Sequence, residues 1–243
     1  MSLTPSVEIL IDDKPLLAIN KPAGLLTQGP PPVERTLERL VKEERRRQQN
    51  KTGNVYLGIP HRLDRAVTGA IVFATNSKGA ARLAEIFRDR RVQKTYWAIL
   101  EQKPQPEAGE LIDGLLKLDE VAFVEVVPLG TPGSKEAKLS YQTKQAVPGG
   151  WLVEIHPETG RFHQIRAQLG CRGWSVFGDL LYGAKQSLSA DETGWIDDGS
   201  TSPVTPIALH SRQLVLPHPV RFDDITIQAP APRYWHERGW VKE

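Results

Sequence analysis

The sequence has a single cysteine, Cys171, in 243 residues. An internal disulfide is therefore excluded, and no Cys/His spacing of a zinc site surrounds it. No specific pairing in the sequence offers the base that a reactive thiol needs, so Cys171 reads as a buried structural thiol. Long apolar runs are also missing, and no stretch can span a bilayer as a helix. The N-terminus, MSLTPSVEIL, lacks a basic stretch followed by a signal-type apolar core, which makes the cytoplasm the expected location. An excess of one charge is absent too. Lys plus Arg number 31 and Asp plus Glu 29, a formal net charge of +2, which neither requires nor excludes nucleic acid. No internal repeat, no clear linker and no P-loop pattern is present.

What is there suits a globular protein: 40% hydrophobic and 25% charged residues, enough to bury a substantial core. The length allows one domain or two, and a single α+β domain reaches this size. Basic residues cluster at Arg45, Arg46 and Arg47, and again at Arg88, Arg90, Arg91 and Lys94. Such clusters are usually solvated faces, and they also serve as phosphate footprints.

Residues 7–19 read as two short strands around a DDKP turn, followed by an NKPAG loop that the prolines at 30–32 continue. Thr36 is a helix N-cap candidate, with Leu37, Leu40 and Val41 as the apolar stripe of a helix that ends near 51–54. PHRLDRAVTG at 60–69 is a polar loop, and AIVFA at 70–74 a buried strand. Ala80, Leu83, Ala84 and Phe87 predict a helix starting at Asn76 or Ser77. In the strand VQKTYWAIL, Val92, Lys94, Tyr96 and Ala98 share one face, which is unusually polar for a structural face. Strands are expected near 111–118, 121–127, 137–147 and 151–156. TGRFHQIRAQLG at 159–170 reads as a helix with Phe162, Ile165 and Leu169 on its apolar side. His163 and Arg166 would neighbour each other on that helix. The stretch 184–206 reads as a long surface loop, and the chain then returns to strands. Strands and helices mix without regular alternation, which favours α+β over a doubly wound sheet.

Three segments hold candidate chemistry. Asp64 lies between two arginines in a loop flanked by apolar strands, a surface ion pair on the plainest reading but a position where sheets often present active groups. Lys94 and Tyr96 share a strand face, as core packing or as one wall of a polar cleft. Arg161, His163, Gln164 and Arg166 form a donor-rich face, solvated or suited to an anionic partner.

Together and in order, these segments resemble the RluA-type pseudouridine synthases. PHRLDRAVTGAIVFA is similar to the family motif with the catalytic Asp, and KTYWAIL to its Lys-x-Tyr-x-Ala motif. HPETGRFHQIRAQLGCRGWSVFGDLLYG resembles the long third motif, INKPAGLL the N-terminal Lys-Pro-x-Gly motif, and LHSRQLVLPHP with AP-AP the C-terminal strands. The resemblance spans about residues 7–232, and four ordered motifs are far more specific than any one. It implies one catalytic domain over 1–243, an α+β fold with a mixed, mainly antiparallel sheet, flanking helices and a central cleft. No accessory N-terminal RNA-binding domain fits before residue 7.

The activity implied is isomerisation of uridine to pseudouridine in structured ribosomal or transfer RNA. It needs no cofactor and no metal, and the chain is expected to act as a monomer. By the same resemblance Asp64 is the catalytic carboxylate, Arg166 its partner, and Tyr96 the residue facing the uracil. His61, Arg62, Lys94, Arg161 and His163 are the candidates for RNA contact and base flipping, with Arg62 filling the space the base leaves. Ala66, Val67 and Thr68 depart from the usual Pro, Thr and Ser, Gln168 from a usual His, and 28–34 is Pro-rich. The departures at Ala66, Val67, Thr68 and Gln168 motivate a competing reading, an RNA-binding module without chemistry. A second competitor is a glycosidase with two carboxylates, for which Asp179 is the available partner.

Overall fold

The computed structural model describes residues 7–29, 33, 35–50, 52–118, 122–199 and 204–242; the prolines at 30–32, Lys51, Val121 and residues 200–203 lie outside these. Among the described residues ten strands form one sheet: β1 Glu8–Asp13, β2 Leu16–Lys21, β3 Thr68–Ala74, β4 Gln93–Leu100, β5 Ala108–Leu118, β6 Phe123–Val127, β7 Lys135–Val147, β8 Gly150–Pro157, β9 Leu209–Pro217 and β10 Asp224–Gln228. Their order is β1-β2-β3-β9-β4-β8-β7-β5-β6, with β10 paired to β9. The β3–β9 pairing is parallel and the others are antiparallel. The helices are α1 Leu37–Gln48, α2 Ser77–Arg88, α3 Gln164–Gly170, α4 Ala190–Thr193 and α5 Arg233–Glu237. This is the α+β arrangement expected.

β2 and β3 show why the apolar runs are nearly continuous. Leu17, Ile19, Ile71 and Phe73 pack with Leu37 and Val41 of α1. The alternate residues, Leu16, Ala18, Ala70 and Val72, pack with Leu83 and Ile86 of α2. A strand covered on both faces cannot alternate with polar residues. Helices α1 and α2 start where their caps predict. The Thr36 side chain accepts from the Arg39 amide at 3.3 Å, and Asn76 from the Gly79 amide at 2.8 Å, contacts worth about 1 kcal/mol each.

Three expectations need correction. Residues 159–163 are not helical: α3 begins at Gln164, and His163 is left-handed with φ 51°. Gln164 Oε1 holds this segment by accepting from Thr159 Oγ1 at 2.7 Å and from the Arg161 amide at 3.0 Å. Phe162 consequently points outward and is 41% exposed. The stretch after residue 184 is not a plain surface loop, because Leu188 and Asp198 are buried in it and it contains α4. Cys171 is exposed rather than buried, and it accepts from the Arg172 guanidinium at 3.2 Å. The segment after residue 232 adds Trp235 and Trp240, both fully buried, to the main core.

Candidate active site

Asp64 sits on a loop whose backbone is held on both sides of it. The Lys21 ammonium, at the end of β2, donates to the carbonyls of Pro22, Arg65 and Val67 at 3.0, 3.1 and 2.8 Å. Thr27 Oγ1 donates to the Leu63 carbonyl at 3.0 Å and accepts from the Leu63 amide at 3.2 Å. The Gly24 amide donates to the Arg65 carbonyl at 3.0 Å, and Arg65 Nε returns a bond to the Gly24 carbonyl at 2.9 Å. Buried Arg65 also pairs with buried Asp198 at 2.6 Å. A loop tied this closely holds its one cleft-facing carboxylate still before substrate arrives.

The carboxylate opens into a cleft of about 1640 Å³, whose walls include Asp64, Tyr96, Arg166 and His163. Arg166, on α3, directs its fork at Asp179: Nε to Oδ2 at 2.7 Å and Nη2 to Oδ1 at 2.8 Å. Its remaining nitrogen, Nη1, is 2.8 Å from His163 Nε2 and 3.7 Å from Asp64 Oδ2. His163 Nε2 is itself 3.7 Å from that oxygen.

The guanidinium can only donate, so His163 Nε2 must accept and Nδ1 carries the proton. Nδ1–H then donates to Tyr182 Oη at 3.0 Å, which also accepts from the Val124 amide at 3.0 Å. Burial and the adjacent Arg166 push His163 down to about 3, consistent with the neutral tautomer. Burial works against the Arg166 charge, but Asp179 and Asp64 outweigh it and hold the group protonated. Burial raises the Asp64 carboxyl above its ordinary range, against the pull of Arg166, Lys21 and Arg62. Burial also pulls Lys21 down to about 7, opposed by Asp64.

Tyr96 enters from β4, where the pairing with β9 slips between Thr95 and Tyr96, an irregularity of the kind that re-aims a side chain. Burial pushes its phenol up to about 12, partly offset by hydrogen bonding with Ser211. Lys94, on the same face, donates to the Thr159 carbonyl at 3.3 Å, and burial lowers its pKa, helped by Arg90. Arg161 donates to the Glu136 carbonyl at 2.8 Å. Arg62 is exposed at the mouth. His61 also lines the cleft, but its ring is committed to the protein. Nε2 accepts from the Val72 amide at 3.0 Å, and the ring stacks on Phe87 at 4.3 Å. Its geometry is that of a brace between loop and strand.

All eight residues singled out in the sequence thus line one cleft. Lys21 and Tyr182 were not singled out, and Asp179 was named only as a carboxylate for the competing glycosidase reading. Each stood inside a recognised motif, Lys-Pro-x-Gly or Gly-Asp-x-x-Tyr-Gly, and that was the available signal. Among the described residues, no group of three or more His, Cys, Asp or Glu is placed to hold a metal ion. No helix among them is long and apolar enough to cross a membrane.

An RNA pseudouridylate synthase family model matches residues 15–170. The ribosomal large subunit pseudouridine synthase C of Rickettsia bellii is 27% identical over 229 residues, covering 94% of this chain and 69% of its own. The mitochondrial pseudouridylate synthase RPUSD4 of Xenopus tropicalis is 29% identical over 251 residues, covering 93% of this chain and 77% of its own. The solved structure of human RNA pseudouridylate synthase domain containing 4 superposes with a TM-score of 0.74 at 28% identity, over 97% of this chain and 94% of that one. The motifs, the sheet and these similarities agree, and the chain belongs to the RNA pseudouridylate synthase family of isomerases that act on RNA.

Proposed function

We propose that this chain isomerises specific uridines of structured ribosomal or transfer RNA to pseudouridine, as a single-domain monomer, with Asp64 as the catalytic carboxylate and the target base flipped into the cleft. The observation that supports this most is the setting of Asp64: a carboxylate on a loop tied down from both sides, 3.7 Å from a guanidinium and open to the cleft. In the reaction the bond from ribose carbon one to uracil N1 breaks. The base turns, and carbon five bonds to the same ribose carbon. Carbon five loses a proton and N1 gains one, so composition is unchanged and no redox partner or energy input is required.

Asp64 serves as nucleophile at the anomeric carbon or as base at the neighbouring sugar carbon, and both need the carboxylate. Arg166 favours that form and fixes its direction. Tyr96, with its pKa pushed up to about 12, meets the base as a neutral hydroxyl. It stacks on the uracil and relays the carbon-five proton only by passing its own onward. Flipping costs a few kcal/mol, recovered by contacts in the pocket, and exposed Arg62 fills the space left in the RNA.

The glycosidase alternative needs a second working carboxylate. Asp179 is fully engaged by Arg166 at 2.7 and 2.8 Å, which argues against that role. The binding-module alternative draws on Ala66, Val67, Thr68 and Gln168. The first three are buried, so packing absorbs them, and Gln168 donates to the Asp113 carboxylate at 2.7 Å. The deciding experiment is tritium release from RNA labelled at uracil carbon five. Wild type is expected to release it and Asp64→Ala not to; retained turnover in the purified variant sinks the assignment.

A further inference from the structure

The cleft has one rim that the chemistry at Asp64 leaves unused. Phe162, Leu180 and Leu181 line it, and they are 41%, 48% and 51% exposed. They are not loose. Leu180 and Leu181 stand between Asp179, held by Arg166, and Tyr182, held by His163 and stacked on Phe123 at 5.0 Å. Phe162 lies on the His163 ring at 3.9 Å between centroids, 19° from parallel. Apolar surface kept rigid and wet beside a reactive group marks a binding surface. The exposed ammonium of Lys117 lies 5.8 Å from the centroid of the Phe162 ring. A ring for stacking with a cation beside it matches one nucleotide, whose base takes the ring and whose phosphate takes the ammonium.

We propose that Phe162, with Leu180, Leu181 and Lys117, forms a second base site, which takes the unstacked base of the nucleotide flanking the target uridine. This site rests on the reading that RNA enters the cleft with its uridine at Asp64, and it makes local RNA unpairing, rather than the uridine alone, part of substrate choice. Exposed aromatic surface elsewhere supplies the control: Phe222 is 66% exposed and does not line the cleft.

The test is a double-mutant cycle read by fluorescence anisotropy. The probe is a short, labelled single-stranded oligoribonucleotide with a central uridine, made intact or with abasic residues flanking the uridine. Phe162→Ala is expected to weaken binding of the intact probe about tenfold, about 1.4 kcal/mol, with an unchanged melting temperature. Phe162→Trp restores binding and Phe222→Ala leaves it at the wild-type value. Abasic flanks weaken wild type by a similar factor, and the two changes together cost no more than either alone. Wild-type binding by Phe162→Ala, additive losses, or no measurable binding by the wild type would each overturn the site. Tritium release by the wild type is read separately, so failure of the isomerase reading is distinguishable from failure of the second base site.

Discussion

Arg166 gives its two-nitrogen fork to Asp179, at 2.7 and 2.8 Å, and only its remaining nitrogen approaches Asp64, at 3.7 Å. The guanidinium is thus oriented by one carboxylate in order to act on another. Its position does not depend on the protonation of the residue it serves.

That division of labour predicts the behaviour of Asp179 variants. Removing one partner of a buried ion pair costs on the order of 3–5 kcal/mol, so Asp179→Ala should show that loss in urea unfolding. Asp179→Asn keeps a hydrogen-bond acceptor and should lose less stability. It should still lower the single-turnover rate tenfold or more while leaving RNA affinity intact. A wild-type rate in Asp179→Asn would show that the fork does not orient Arg166 for Asp64.

Asp64 should trade stability for chemistry. Burial raises its carboxyl above the ordinary 3.8, so the folded state resists the charged form, and ionisation costs stability once the pH exceeds that value. Asp64→Asn removes the cost. The variant is expected to melt higher than wild type at pH 7 while releasing no tritium. An equal or lower melting temperature would mean that the Arg166 and Lys21 contacts outweigh burial.

Three histidines set an acid limit. Burial pulls His61 and His163 down to about 3 and His210 to about 4. Each accepts a hydrogen bond at a ring nitrogen that must stay unprotonated: His61 from Val72, His163 from Arg166, and His210 Nδ1 from Thr68 Oγ1 at 2.8 Å. The unfolded chain binds protons below about 6.5 and the folded chain does not. The stability is therefore complete above that pH and is lost as pH falls toward 4 and 3. Unfolding at pH 5 should take up about three protons from these groups, measurable from the pH dependence of thermal unfolding. A melting temperature flat between pH 7 and 4.5 would contradict this.

Gly24 tests the bracing of the catalytic loop. Its φ is +94°, and a Cβ there would lie 2.1 Å from the Ile196 carbonyl oxygen, beside the Gly24–Arg65 bonds. Gly24→Ala should cost upwards of about 2 kcal/mol and reduce turnover together with stability. Gly130→Ala, at φ +84° with nothing within 4 Å of the added carbon, isolates the backbone strain and should cost less without affecting turnover.

Much of the site was legible as a set of positions. The shared face of Lys94 and Tyr96, the caps Thr36 and Asn76, and the two-sided burial of residues 16–19 and 70–74 follow from local periodicity. Others were hidden. Strand adjacency in sequence gives no sign that β9 inserts between β3 and β4. The helical pattern of 159–163 is overridden by Gln164, which ties that segment into a turn and leaves Phe162 outside. The polar stretch after residue 184 conceals Asp198, buried because Arg65 is there to meet it.

The sequence by itself determined the family, most of the elements in order and eight of the groups lining the cleft, because side-chain periodicity and ordered motifs are properties of the chain read locally. Only the tertiary structure decided who pairs with whom: Arg166 with Asp179, His163 with Tyr182, Lys21 with the backbone around Asp64. Partner choice depends on which charges are desolvated together and on distances between segments far apart in sequence, and those exist only once the sheet has closed around them.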